Sequence, residues 1–438
     1  MPHQQPVKPA ALGTIFLIIF IDLVGFSIVF PLFPAMLDFY IEGEGGRGLL
    51  GAFLNFIHQL EAGGAGAGSG HFTAILFGGL LGSLYSFLQF FFAPIWGSLS
   101  DGFGRRRILL YTVFGTAVSY LLWFFSGSFL LFILARLLGG AMGGNLSVAS
   151  AAIADVTSRE NRSKGMALVG IAFGLGFTVG PAIGGLLAIY NPLDTFPGAA
   201  RFGVNPFSTP AAFAFLLSAA NLIGVLLFFR ETLPADRQRL SFAERNPMRI
   251  FHVRQEPPIR KSNSVYFLYI LAFSGMEFTL TFLAAKRFDF QPFDIGLMFV
   301  HIGFVLIITQ GFLARKGASF AGEKNLTLIG LAAMVIAMII LAVAPTVLML
   351  YAGLTLMSLG AGLTNPCLTA LVSLYSTGEK QGETLGIFRS FGSLARAIGP
   401  MIASFLFWWY GSKFSYSVGA LLLLVPFAMG FLLPRPAK

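Results

Sequence analysis

The sequence predicts an all-α membrane protein in which twelve transmembrane helices form two related six-helix bundles. Three observations predict this class: an apolar composition, twelve apolar runs of membrane-spanning length, and motifs that recur between the two halves. Of the 438 residues, 56% are hydrophobic and only 11% are charged, whereas soluble domains carry about a quarter charged residues. The mean hydropathy is +0.78, so the chain requires lipid as its solvent.

Composition also excludes several function classes. A net charge of +10 would suggest nucleic acid in a soluble protein, but in a membrane protein the position of each basic residue matters more. Cys367 is the single cysteine, which excludes an internal disulfide framework and a cysteine-based metal site. The sequence has no nucleotide-binding loop and no metal-ligand cluster. We therefore expect no enzyme, no cofactor, no metal and no nucleic-acid partner. The first apolar run is too long for a signal peptide and contains Asp22, so we expect no cleavable signal.

A helix needs roughly 20 apolar residues to cross the hydrocarbon layer, and twelve runs meet that length. None of them shows the short alternation of a membrane β-barrel. The predicted spans are 12–35, 72–96, 108–126, 129–153, 165–189, 211–229, 264–285, 293–313, 326–344, 347–372, 384–409 and 414–433.

The distribution of basic residues predicts the orientation. With the N-terminus inside, 21 of the 29 Lys and Arg residues lie on the cytoplasmic side. Cytoplasmic loops carry such an excess, so we expect both termini in the cytoplasm. The five outside are Arg47, Arg201, Lys286, Arg287 and Lys413, and the three inside spans are Arg136, Arg389 and Arg396.

The domain organisation follows from the connection between spans six and seven. This connection is basic and contains four prolines, which favours a linker over a long helix. We predict an N-terminal bundle over 1–230, a cytoplasmic linker over 231–262 and a C-terminal bundle over 263–438.

An internal repeat relates the two halves. The glycine-rich span five contains Gly180-Pro181, and span eleven contains Gly399-Pro400 at the matching depth. The loop after span two begins GSLSDGFGRRR (97–107), and the loop after span eight begins GFLARK (311–316). Two related six-helix units are the architecture of alternating-access transporters, which bind substrate near the membrane midplane between the units.

These motifs resemble those of a known family. The 97–107 loop resembles the loop signature of the major facilitator superfamily through Gly97, Asp101, Gly104, Arg105 and Arg106. Span five resembles the antiporter signature of that superfamily's drug:proton antiporter group, which includes tetracycline exporters. The matching residues are Gly176, Gly180, Pro181, Gly184 and Gly185. Arg136 resembles the span-four arginine motif, although Gly139 stands where that motif has glutamine.

A second resemblance covers the C-terminal half. Residues 274–288, 309–316 and 388–400 are similar to the animal tetracycline-transporter-like proteins. Together the resemblances imply the major facilitator fold and the efflux of drugs or organic anions. They also imply a gate at the 97–107 loop, which holds span two to span eleven when the inside is closed. Arg389, near the start of span eleven, is the expected partner of Asp101. The alternative is that the arginines of this loop only set the topology.

Two carboxylates inside the membrane are candidates for proton coupling. Asp22 lies near half depth in span one, and Glu277 lies in span seven. An ionisable group at mid-membrane costs on the order of 3 kcal/mol, so its presence points to function. Burial disfavours the charged form of a carboxyl group, which lets it bind and release a proton near neutral pH. The alternative is a static salt bridge with a nearby arginine. The sequence does not decide which carboxylate is the primary proton carrier.

The arginines inside the spans point to the substrate. Arg389 and Arg396 share one face of span eleven, and with Arg136 they outnumber the two carboxylates by one charge. An anionic or zwitterionic substrate would balance that charge; the alternative is that each arginine only neutralises a carboxylate. The predicted substrate-binding residues are Arg136, Arg396, Arg389, Tyr85, Gln89, Phe26, Ser274 and Asn365. At Asn365, followed by Pro366, we expect a break in the helix.

The predicted function is that of a proton-coupled antiporter that exports an organic solute. We expect a multi-pass integral membrane protein of a bacterial inner membrane or a eukaryotic plasma or organelle membrane. Its partners would be a small organic substrate, protons and the lipid bilayer, and we expect a monomer. The alternatives are an uncoupled facilitator, a symporter of an organic anion, or a non-transporting receptor on the same fold. The glycosylation pattern Asn145-Leu-Ser147 lies inside span four and is not expected to carry a glycan.

Overall fold

The computed structural model describes residues 9–44, 47–63, 73–157, 162–233, 256–376 and 381–435, and helices dominate this part of the chain. The helices of the first half are α1 (Pro9–Ser27), α2 (Phe33–Glu44), α3 (Gly48–Gly63), α4 (Thr73–Phe103), α5 (Arg105–Phe124), α6 (Phe129–Met142), α7 (Asn145–Val156), α8 (Arg162–Leu187), α9 (Pro192–Thr195) and α10 (Ser208–Phe228). Those of the second half are α11 (Pro257–Phe288), α12 (Pro292–Ile308), α13 (Arg315–Val343), α14 (Val347–Tyr375) and α15 (Gln381–Phe431).

Twelve of the resulting segments span the membrane, as predicted. Ten helical stretches of the described residues are long and apolar enough to cross. The helix α4, at 31 residues, adds another. The long helix α15 counts twice because it bends at Gly411, whose φ of 84° is outside the helical range. A similar bend at Gly322 in α13 separates span eight from span nine.

The spans form two bundles that meet along two helix pairs. The first bundle contains α1, α4 to α8 and α10, and the second contains α11 to α15. Between the bundles, α4 packs on α15 and α8 packs on α12. The helix α10 ends at Phe228 and α11 begins at Pro257, so the last six residues of the predicted linker over 231–262 belong to α11. Residues 234–255 of that linker lie outside the described part. We call the membrane side on which α1 begins and α15 ends the terminal face.

The sequence predicted straight spans in places where the chain bends. A 3₁₀ turn over Phe30–Leu32 interrupts span one, which then continues to Glu44 as α2. Span four breaks between α6 and α7, at Gly143 and Gly144. The expected break at Pro366 is wrong, because α14 runs through it without interruption. Neighbouring helices allow a proline inside a membrane helix to cost one hydrogen bond without ending the helix.

Candidate functional site

The internal repeat has a structural counterpart at the centre of each bundle. In the first half, Ser27 of α1 donates a hydrogen bond of 2.9 Å to the carbonyl of Gly176, four residues before Gly180 on α8. In the second half, Ser274 of α11 donates one of 3.4 Å to the carbonyl four residues before Gly399 on α15. A β-carbon at either Gly180 or Gly399 would collide with the facing serine. The Gly-Pro helix of each half therefore packs in the same way on the first helix of that half.

The other glycines of the antiporter motif divide between two partners. Gly184 lies against the backbone of α1 near Ile28, and Gly176 lies against Leu23. Gly185 faces the other bundle, where a β-carbon added to it would come within 2.6 Å of the Cα of Gly296 on α12. Small residues allow helices to approach this closely. The motif therefore joins α8 both to the broken first span and to the opposite bundle.

A cavity lies between the two bundles, near the middle of the membrane spans. Its volume of about 50 Å³ is large enough to hold water molecules. The wall comes from α8 of the first half and from α11, α12, α14 and α15 of the second. Its polar residues are Thr178, Tyr269, Glu277, Gln310, Asn365 and Arg396.

An ion pair stands in the wall of this cavity. Arg396 of α15 donates from Nη1 to Oε2 of Glu277 on α11 over 3.1 Å, and the two side chains are 23% and 14% exposed. The guanidinium of Arg396 also lies 4.9 Å from the ring centroid of Phe177 on α8. Arg396 therefore contacts a carboxylate in its own half and an aromatic face in the other half.

The first half holds its carboxylate differently. Oδ1 of Asp22 accepts a hydrogen bond of 2.8 Å from the side-chain amide of Asn145, the first residue of α7. Within the described residues, the Asp22 side chain makes this hydrogen bond and forms no salt bridge with a cation. Asp22 is part-buried.

Arg136 of α6 is a buried cation without a carboxylate partner among the described residues. The side chain is 2% exposed, and both Nε and Nη2 are buried with no hydrogen-bond acceptor. Three rings surround the guanidinium: Trp123 at 5.4 Å, Tyr85 at 5.5 Å and Phe132 at 5.8 Å to the ring centroids. Their quadrupoles offset part of the cost of burying the charge.

Aromatic rings connect the two arginines across the bundle interface. Phe177, beside Arg396, lies 5.6 Å from Phe26 of α1, and Phe26 lies 4.4 Å from Tyr85. Tyr85 in turn contacts Arg136. The structure thus brings Phe26, Tyr85, Arg136 and Arg396 into one continuous chain of contacts between the halves.

The two carboxylates do not occupy equivalent positions of the repeat. Asp22 precedes Ser27 by five residues, whereas Glu277 follows Ser274 by three. Because the two serines are equivalent, the carboxylates differ by eight helical positions, or about 12 Å at ~1.5 Å per residue. Asp22 is the one nearer the terminal face.

Four other residues predicted to bind substrate have separate positions. Asn365 lines the cavity. Gln89 donates a 2.9 Å hydrogen bond to the carbonyl of Gly143 and so holds α4 to the break in span four. The hydroxyl of Ser274 is engaged with backbone in the contact between α11 and α15. Arg389 lies nearer the terminal face, with its guanidinium beside Gly170 of α8.

The predicted gating loop is a charge network at the terminal face. Gly104, with φ of 97°, makes the turn between α4 and α5. The buried guanidinium of Arg105 bonds Asp101 at 2.5 Å and Asp155 of α7 at 2.9 Å. The carboxylate of Glu231 accepts hydrogen bonds from the backbone N–H groups of Arg105 and Arg106 at the start of α5. The pairing of Asp101 with Arg389 stays a prediction.

Sequence reasoning missed both Asp155 and Glu231. Each is an acidic residue at the end of its span that lies at the terminal face, where the arginines of the 97–107 loop also lie. An acidic residue at that end of a span was the signal in the sequence that could have identified them as partners of those arginines. Gly97, another residue of the motif, packs against Ser147 of α7. All five predicted gating residues thus lie between α4, α5 and α7, within the first bundle.

The chain is similar to known transporters over its whole length. The family model of the Major Facilitator Superfamily matches residues 15–319 and, in a second match, 265–438. Major facilitator superfamily domain-containing protein 10 of Homo sapiens is 34% identical and aligns with 100% of this chain and 96% of its own length. The class B tetracycline resistance protein of Escherichia coli is 27% identical, with 88% and 86% covered.

Solved structures agree with these sequence matches. The crystal structure of the human organic anion transporter MFSD10 (TETRAN) has a TM-score of 0.77 and 32% identity, and covers 97% of this chain and 100% of that one. An inward-facing bacterial homologue of the human lysosomal transporter Spinster has a TM-score of 0.68 at 13% identity and shares the fold, with 98% of each chain covered. The resemblance inferred from the motifs is confirmed: this chain belongs to the major facilitator superfamily and is a multi-pass membrane transporter of the MFSD10 and tetracycline-efflux kind.

Proposed function

We propose that this transporter is a proton-coupled antiporter that exports an organic anion or zwitterion by alternating access. The observation that carries the proposal is the ion pair of Glu277 with Arg396 in the cavity between the bundles. A guanidinium binds carboxylate or phosphate groups with directed hydrogen bonds. An anionic substrate that enters the cavity can therefore compete with Glu277 for Arg396.

Asp22 supplies the exchange step in this proposal. Its hydrogen-bond partner is the neutral amide of Asn145, so protonation of Asp22 breaks no ion pair. The empty transporter can then return with a proton on Asp22, and release of that proton precedes the next export step. The two bundles pack closely on the side opposite the terminal face, where Gly185 of α8 meets Gly296 of α12. This packing supports a transport cycle in which the cavity opens next toward the terminal face. The excess of basic loops supports that face as cytoplasmic.

The same ion pair supports symport as a second candidate. If an anion takes Arg396, Glu277 is left as an unpaired carboxylate in a poorly solvated site. Such a charge is costly unless it is neutralised, and a proton can neutralise it. Substrate and proton would then bind together and move in the same direction. Antiport requires Asp22 to be the coupling residue, whereas symport requires Glu277.

Proton flux in proteoliposomes distinguishes these mechanisms. We would screen anionic, zwitterionic and cationic compounds and record lumenal pH with a trapped dye, under pH gradients of either sign. Antiport predicts that each transported compound drives protons in the opposite direction. Asp22→Asn should abolish gradient-driven accumulation but retain exchange of labelled for unlabelled substrate. The control is Asp194→Asn, which removes an exposed carboxylate from the short helix α9. Accumulation that survives both Asp22→Asn and Glu277→Gln contradicts proton coupling, and the absence of any flux favours a receptor.

A matched pair of arginine variants tests the anion site. Arg396→Ala should reduce export of anionic compounds at least tenfold while cationic compounds change less. Arg201→Ala is the control, because Arg201 also lies over a ring, that of Phe202 at 4.7 Å, but on an exposed loop. Unchanged handling of every exported compound by Arg396→Ala refutes the anion site.

A further inference from the structure

Asn145 occupies an unusual position for an amide side chain. It begins α7 directly after the break at Gly143 and Gly144, and it is 0% exposed. Its Nδ2 donates to Asp22 over 2.8 Å. Its Oδ1 is buried and has no hydrogen-bond partner. The amide therefore carries one used donor and one unused acceptor, both beside the same carboxyl group.

The chemistry of Asp22 gives the unused acceptor a purpose. An ionised carboxylate only accepts hydrogen bonds, whereas a protonated carboxyl group also donates one. An amide contains both a donor and an acceptor on one planar group. When it turns over about its terminal side-chain bond, it exchanges one for the other with little change in shape. An arginine in the same place could serve only the ionised form.

Among the described residues, the other charged and titratable groups near Asp22 do not hydrogen-bond its carboxyl group. Tyr85 of α4 and Tyr120 of α5 lie within electrostatic range of Asp22, and Arg136 of α6 interacts with both tyrosines. Within the described residues, none of the three forms a hydrogen bond with Asp22. From α10, the buried amide of Asn221 reaches α1 but donates to the carbonyl of Ile18, at 3.2 Å. From α8, the uncharged Gly176 packs against Leu23, the residue that follows Asp22.

We propose that Asn145 is a positioning residue that holds Asp22 in both of its protonation states by turning over its amide. The Nδ2 group donates to the carboxylate, and Oδ1 accepts from the carboxyl group once Asp22 is protonated. This inference rests on the proposed function, in which Asp22 carries the coupled proton. It also assigns a role to the asparagine of the Asn145-Leu-Ser147 pattern, which the membrane keeps from glycosylation.

Two variants of equal shape test the proposal. Asn145→Val removes both hydrogen-bonding groups, whereas Asn145→Thr has a similar shape and retains a hydroxyl that can donate and accept. A hydrogen bond to a charged acceptor is worth more than one to a neutral group, so its loss favours the protonated state of Asp22. We expect Asn145→Val to move the pH midpoint of substrate-driven proton flux upward by about one unit. Asn145→Thr should return the midpoint most of the way to that of the unmodified protein.

The control variant and a spectroscopic readout separate positioning from general damage. Asn221→Val removes a buried amide that touches the same helix and should leave the midpoint in place. Infrared difference spectra between high and low pH, with ¹³C-labelled asparagine, should show a shift of a side-chain amide band together with protonation of a carboxyl group. Both changes should vanish in Asp22→Asn. This measurement requires no Asn145 variant, so it stands even if Asn145→Val fails to fold.

The outcomes distinguish this inference from the proposed function. If the unmodified protein shows no proton-coupled flux, the proposed function fails. If flux is proton-coupled and the midpoint of a folded Asn145→Val is unchanged, Asn145 has no role in proton binding. A carboxyl band with no accompanying amide band also overturns the inference.

Discussion

In the second half of the molecule Glu277 and Arg396 lie 3.1 Å apart, whereas in the first half Asp22 bonds a neutral amide and Arg136 is enclosed by rings. Each half thus places a carboxylate and an arginine within its spans, on the same repeated scaffold. In one half the charges are paired, and in the other they are separate. The difference teaches that the two carboxylates are not interchangeable: protonation of Glu277 must release a cation, and protonation of Asp22 releases none.

The largest effect on stability is expected where the charges are paired. Arg396→Gln leaves Glu277 without its cation, and losing one partner of a buried pair costs about 3–5 kcal/mol. Because the side chains here are 23% and 14% exposed, we expect a loss of about 2 kcal/mol in the free energy of unfolding. The measurement is thermal unfolding in detergent at neutral pH.

The double variant sharpens this test. Glu277→Gln together with Arg396→Gln removes both charges, so most of the lost stability should return although transport does not. If the double variant is as unstable as the sum of the two single variants, Glu277 and Arg396 do not act as a pair. Such a result would remove the contrast between the halves.

A smaller effect of opposite sign is expected at Arg136. Arg136→Met removes two buried donors without partners, each of which costs about 1–3 kcal/mol. It also loses contacts with three rings, worth about 0.5–2 kcal/mol. We expect the variant to be more stable by about 1 kcal/mol and inactive in transport, since a cation retained at this cost serves function. The measurement is thermal unfolding of Arg136→Met and of Arg396→Met, which we expect to be destabilised. A loss of stability in Arg136→Met contradicts the prediction.

Sequence reasoning predicted the scaffold better than the pairing of charges. Apolar runs report directly on spans, and Gly180-Pro181 with Gly399-Pro400 predicted a repeat that the structure shows in the facing serines. The bond between Asp22 and Asn145 was beyond reach because it joins spans one and four through a break at Gly143 that hydropathy does not register. Arg105 was found by its motif, but its partner Asp155 depends on how α7 packs. Which side chains meet across two helices depends on how each helix is rotated about its axis and how deep each residue lies in the membrane. The periodicity of a single sequence predicts the helices but not these two quantities.

A finer comparison of the halves uses the two equivalent serines. Ser27→Ala removes a 2.9 Å hydrogen bond to α8, and Ser274→Ala removes a 3.4 Å one to α15. A net contribution of about 1 kcal/mol is usual for such a bond, and a longer bond is weaker. We expect Ser27→Ala to lower the free energy of unfolding by about 1 kcal/mol and Ser274→Ala by less. Thermal unfolding of both variants checks the order, and a greater loss for Ser274→Ala contradicts it.

The smallest change in stability is expected at Asp22, where the functional effect is large. In Asp22→Asn the new amide oxygen can still accept the hydrogen bond from Asn145, and no cation loses its partner among the described residues. The free energy of unfolding should therefore change by no more than about 0.5 kcal/mol. The same carboxyl-to-amide substitution at Glu277 removes the carboxylate of its ion pair with Arg396 and should cost about 2 kcal/mol. Thermal unfolding of the two variants at neutral pH measures both values, and equal losses would show that Asp22 also compensates a buried cation.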